Sequence, residues 1–230
     1  MKNLATCLVF ILLGVNNLFS QVQEKSKPIA LFEKKLVYGF AVNNSWSNYR
    51  DLKDSSFYRP SLGIHLKTDF FFTESIGITL GFGVQQRGMG IYTPDLDKSI
   101  GNPDSTGRLR YKCTTLDLPI QLVYRHKEEV FKNGRLIAGF GITPSYMYKA
   151  QRIWKSVDDG FHEPRVITGN YSKIDVPLRA SLGLDINTGS TLFRVQLVGE
   201  LGFKKIYTNS ITGAKSSQNT LIGIDLSFLF

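Results

Sequence analysis

From residue 34 onward the chain alternates in character, with bulky apolar side chains at every second position and glycine, hydroxyl, amide or charged side chains between them. That period of two is the signature of strands whose two faces meet different surroundings. At the C-terminus Ile222, Ile224, Leu226, Phe228 and Phe230 alternate with Gly223, Asp225, Ser227 and Leu229, and the chain ends on the aromatic. Residues 76–85 are as regular: Ile76, Ile78, Leu80, Phe82 and Val84 face away from Gly77, Thr79, Gly81, Gly83 and Gln85. Further strands are predicted over 36–43, 61–70, 116–125, 136–148, 174–186 and 193–203, making eight. Pro119 and Pro177 fall inside two of them, on the less apolar face. A proline donates nothing to a ladder, so a local bulge or weak pairing is expected at each.

The gaps between strands also alternate. Those at 44–60, 88–112, 149–171 and 204–218 are long, and those at 71–75, 126–134 and 187–190 are short. An even number of strands with long loops on one rim and tight turns on the other predicts an all-β fold, an eight-stranded antiparallel transmembrane β-barrel of up-and-down meander topology. Both termini then lie on the short-turn, periplasmic side. An open sheet ending on an apolar strand would invite aggregation, whereas a closed barrel has no edge.

Which face points inward follows from the charges. The alternate face carries Lys67, Arg87, Asp117, Arg125, Asp175, Arg179, Asp185, Arg194, Glu200 and Asp225. One Arg or Lys on the lipid side costs about 2–4 kcal/mol at mid-bilayer. A few would exceed the roughly 5–15 kcal/mol by which a whole domain is stable. These ten are therefore assigned to the lumen as a structural charge network. An eight-stranded interior is only wide enough for side chains to fill, which argues against a general diffusion pore.

The N-terminus supplies the address. Lys2 precedes an apolar run from Leu4 to Val15 broken only by Thr6 and Gly14, and Ser20-Gln21 offers a cleavage boundary. That pattern predicts a signal peptide over 1–20, a periplasmic segment over 21–33 and a barrel domain over 34–230. Cys7 lies at the start of the run, where a lipoprotein box has no place, and its removal leaves Cys113 alone. No later run of apolar residues is long enough for a spanning helix.

Composition fits this picture: 16 Phe and 10 Tyr supply interfacial aromatics, with Trp46, Trp154, Tyr49, Tyr58, Tyr92, Tyr111, Tyr148, Tyr171 and Tyr207 near strand ends. The formal charge is +9, each long gap carries a positive balance, and no nucleic-acid motif accompanies it. Anionic lipid headgroups and lipopolysaccharide phosphates are the expected counterparts.

Candidate chemistry is sparse. The histidines are His65 on the inward face, His126 in a charged turn and His162 in the acidic loop 158–163, and none has a nucleophile and acid at a recognisable spacing. No Cys or His pair has zinc spacing. Asp95 and Asp97, or Asp158 and Asp159, lack the ligand series of a calcium loop. The Gly81-Phe82-Gly83 run precedes no helix, so it is not a dinucleotide site. No enzyme and no cofactor is expected.

Several stretches resemble the PorT-like, "porin family" outer-membrane β-barrels of Bacteroidota-type Gram-negative bacteria. Residues 81–88, a Gly-rich strand ending Arg87-Gly88, are similar to the family's third strand, and 116–125, with Leu116-Asp117-Leu118-Pro119-Ile120, to its fourth. Ala138-Gly139-Phe140-Gly141 and Ile174-Asp175-Val176 resemble the fifth and sixth. The resemblance implies an integral barrel without catalytic residues, in a family where some members assist type IX secretion. Phe228 and Phe230 would serve as the assembly signal read by the barrel-assembly machinery. A structural or protein-interaction role at the cell surface leads; a secretion accessory, narrow-solute transport and lipid A or peptide hydrolysis are the alternatives.

Overall fold

The computed structural model describes residues 32, 34–50, 56–93, 107–156, 160–161, 165–166, 172–203 and 218–230. Its strands are β1 (Leu36–Arg50), β2 (Ser56–Phe71), β3 (Ile76–Thr93), β4 (Gly107–Asp117), β5 (Ile120–Phe131), β6 (Gly134–Ile142) and β7 (Ser145–Ser156). They are followed by β8 (Gly160–Phe161), β9 (Arg165–Val166), β10 (Ile174–Asp175), β11 (Leu178–Asn187), β12 (Leu192–Leu201) and β13 (Gln218–Leu229). Pairing runs β1–β2–β3–β5–β6–β11–β12–β13 and returns to β1, so the sheet closes as an eight-membered antiparallel ring. Toward one rim β4 replaces β5 beside β3, and β7 replaces β6. The seam between first and last strands runs from Gly39 opposite Leu229 to Arg50 opposite Gln218. The backbone N–H of Phe230 donates to the Tyr38 carbonyl at 2.8 Å.

Eight lengths of chain thus form the wall, and three of them break at a proline: Leu118-Pro119, Thr143-Pro144 and Val176-Pro177. Pro119 and Pro177 are the expected interruptions; Pro144 adds a third on the strand between them. The ladder survives because each proline offers only its carbonyl. Gly81 N–H donates to Pro119 O at 2.8 Å, Leu118 N–H to Pro144 O at 2.8 Å, and Thr143 N–H to Pro177 O at 2.9 Å.

The wall is taller than the hydrophobic pattern predicts. The expected gap at 44–60 shrinks to 51–55 between β1 and β2, so the first connection on that rim is not long. Much of 88–112 and 149–156 is strand as well. In these extensions Asn44, Asn48, Gly88 and Gly90 stand on the face that carries bulky residues lower down. Once a strand leaves the hydrocarbon its outer face no longer needs to be apolar, so the alternation fades while backbone pairing continues. On the opposite rim β5 runs on to Phe131, and the turn is only Lys132-Asn133, with Asn133 at φ 63°.

Large apolar side chains cover the outer wall, among them Leu66, Phe140, Leu182 and Leu197. The inward face is polar at mid-height but not throughout. At the short-turn rim several of the buried inward residues are apolar: Val37, Leu192 and Leu229 cluster with Phe32, and Phe71 with Val123 and Ile137. Phe32, from the expected periplasmic segment, tucks under the cylinder. The Arg125 guanidinium lies 3.9 Å from the Phe71 ring centre, and that of Arg135 4.3 Å from the Phe32 ring centre. Cations stacked on aromatic faces join this apolar floor to the charges above it.

Candidate functional site

The alternation that sends Ile64, Leu66 and Phe70 outward sends His65, Lys67 and Asp69 inward, and every stave of the ring does the same. The charges meet in two tiers. Nearer the short turns, Arg194 places Nε 2.6 Å from Asp185 Oδ1 and Nη2 2.7 Å from Asp69 Oδ2. Arg125 Nε reaches Asp185 Oδ2 at 2.9 Å, and Thr79 Oγ1 donates to Asp69 Oδ1 at 2.6 Å.

Above them a second chain of pairs crosses the lumen. Lys67 Nζ lies 2.7 Å from Asp225 Oδ1, and Arg179 bridges Asp225 at 3.3 Å and Glu200 at 2.7 Å. Arg87 continues it with Glu200 Oε2 at 2.8 Å and Asp117 Oδ2 at 2.6 Å. The hydroxyls of Ser227 and Thr143 donate to Asp225 at 2.8 Å and Glu200 at 3.1 Å. Ser181 accepts from Gln121 and Gln196, each at 3.1 Å. Beyond, toward the opposite rim, Gln85 donates to Ser61 Oγ at 2.8 Å.

All ten residues assigned to the lumen from the sequence are buried, and the structure brings nine of them into ion pairs. Asp175 stands apart: its Oδ1 accepts the Val176 N–H at 2.9 Å, while Oδ2 has no hydrogen-bond partner. It borders a cleft of about 10 Å³, room for one water, with Arg87, Thr115, Ser145, Met147 and Asn219. Asp69 is the member that sequence reasoning missed. The signal was present, since it lies two positions beyond Lys67 on the same face.

Taking charges out of water is unfavourable, and only near-complete pairing offsets it. A filled, compensated interior holds the cylinder in one register. Among the described residues it presents no histidine bonded to a nucleophile: His65 is buried and neither ring nitrogen has a hydrogen-bond partner. His126 lies in β5 near the short-turn rim. His162, both acidic loop pairs, the signal peptide and most of 21–33 lie outside the described residues, as do the side chains of Tyr49, Tyr92 and Trp154.

The family description "Outer membrane protein beta-barrel domain" matches residues 19–208. The chain belongs to this family of outer-membrane β-barrel proteins. It is accordingly an integral protein of the outer membrane. Among solved structures it is similar to Ail, the attachment invasion locus protein of Yersinia pestis, crystallised with the heparin analogue sucrose octasulfate. That match has 14% identity and a TM-score of 0.40 and covers 86% of this chain and 100% of Ail. Neisserial surface protein A matches with 7% identity and a TM-score of 0.45, covering 86% and 98% of the two chains. OprG of Pseudomonas aeruginosa matches with 13% identity and a TM-score of 0.46, covering 84% and 92%. No curated protein matches the sequence.

Proposed function

We propose that this outer-membrane barrel is non-enzymatic and acts structurally or as an interaction partner at the cell surface, with the long-loop rim outside and both termini in the periplasm. The observation that carries this reading is the lumen, where five cations and six carboxylates occupy the space that a channel or catalytic cleft would need. Arg179 illustrates the point, since it links two carboxylates from different strands. Arg179→Met should lower stability without opening a conductance. Planar-bilayer recording tests this, and a clear gain of conductance in the variant would contradict it.

A second reading, an accessory of type IX secretion, is favoured by where the motif residues fall. The Arg87-Gly88 and Leu116-Asp117-Leu118-Pro119 stretches that resemble the PorT-like family supply the Arg87–Asp117 pair and one proline break. A deletion strain would then lose surface-exported proteins, and the tagged barrel would crosslink to secretion components. Unchanged surface proteomes would leave the structural role alone. In either reading the signal peptide directs export, and Phe228 and Phe230 present the C-terminal strand to the barrel-assembly machinery.

A further inference from the structure

The two rims differ in charge. Among the described residues near the long-loop rim, the charged side chains that are not buried are Arg59, Arg110, Lys112, Lys149, Arg152 and Lys173, all basic. The acids of the tier below, Asp117 and Glu200, and Asp175 beside it are in the lumen. The short-turn rim instead mixes Lys34, Lys35, Lys127, Lys132 and Arg135 with Glu74, Glu128 and Glu129.

On the outer wall of β3, β4 and β7 the transition is sharp. Val84, Leu116 and Tyr146 form one exposed apolar row. The next row toward the loops is Gln86, Thr114 and Lys149, and the one after it pairs Lys112 with Gln151. Lys112 and Lys149 are therefore diagonal neighbours on paired strands, about 7 Å apart at Cβ. Arg110 follows on the same face of β4, two residues from Lys112.

A bulge makes this arrangement. The β4–β7 register shifts between Thr114 and Thr115, leaving an extra residue on β7, so that Tyr148 and Lys149 are both exposed in succession. Bulges re-aim side chains in this way. Here one sets an amphipathic ring and a cation together where the apolar band stops.

We propose that this patch, Lys112 and Lys149 with Arg110 behind them, binds a phosphate of a lipid A headgroup in the outer leaflet. Two ammonium groups flank the phosphate, Gln86, Thr114 and Gln151 offer neutral hydrogen bonds, and the acyl chains run down the apolar row below. The assignment to lipid A rests on the reading that the long-loop rim faces outward.

The test uses the full mature chain refolded in detergent and native mass spectrometry with bisphosphorylated lipid A, dephosphorylated lipid A and phosphatidylglycerol. The wild type should retain the bisphosphorylated form. The Lys112→Gln, Lys149→Gln double variant should retain it roughly thirtyfold less, the corresponding Arg variants should retain it, and Lys127→Gln, Lys132→Gln should behave as wild type. Heat-shifted mobility on gels confirms that each variant is folded. Equal retention of the dephosphorylated lipid or phosphatidylglycerol, or undiminished binding by the double Gln variant, would overturn the site. An epitope inserted at 94–106 reports orientation on intact cells. If it is hidden while phosphate-dependent binding persists, the orientation falls and the phosphate site stands.

Discussion

Asp185 holds two guanidiniums at once, those of Arg125 and Arg194, inside a wall that water does not reach. Asp185→Asn removes the carboxylate paired with Arg125 and one of the two paired with Arg194, and breaking a buried pair in this way costs roughly 3–5 kcal/mol. Urea unfolding of the refolded barrel should show that loss. Asp175→Asn, at a carboxylate with no ion pair among the described residues, should shift the same midpoint far less. A large loss at Asp175 would mean that an unseen partner holds it. The sequence displays these residues because their period sets them opposite apolar neighbours. It does not display their partners, since Lys67 and Asp225 meet across 158 positions through a register that only the closed ring fixes.

At the scale of elements, the last strand closes the ring through aromatic contact as well as backbone bonds. Phe228 lies between Phe40 at 5.2 Å and Phe193 at 5.0 Å, one on each flanking strand. Each such pair contributes about 0.5–1.5 kcal/mol, so Phe228→Ala should lower the unfolding midpoint measurably. Deleting Phe230 removes the backbone bonds to Tyr38. If the chain end is also an assembly signal, that truncation will refold in vesicles yet fail to assemble in cells; equal success in both would contradict the signal. Strand existence was legible wherever one face met lipid. Strand ends were not, because in β1, β3, β4 and β7 the pattern fades above the hydrocarbon. Pro144 escaped notice although the same rule that flagged Pro119 and Pro177 applies to it.

For the whole molecule, two gradients share one cylinder. Across the wall, apolar side chains face out and ionised ones face in. Along the axis, an apolar floor gives way to paired charges, then to amides and hydroxyls, and the outer surface turns basic at the long-loop rim. The tiers are filled by side chains, so the wild-type barrel should show no steady conductance in planar bilayers. The radial gradient was readable from period and charge cost together; the apolar floor was not, because Val37, Val123, Ile137 and Leu192 occupy positions that elsewhere are polar.

The radial gradient is tested most directly by nitroxides placed singly at Leu66, Phe140, Leu182 and Leu197, in a Cys113→Ser background, with the barrel reconstituted in vesicles. Collision with oxygen should be high at all four, and collision with a water-soluble nickel chelate low, as for side chains in acyl tails. Low oxygen access with nickel access at these positions would place them in water and contradict the account.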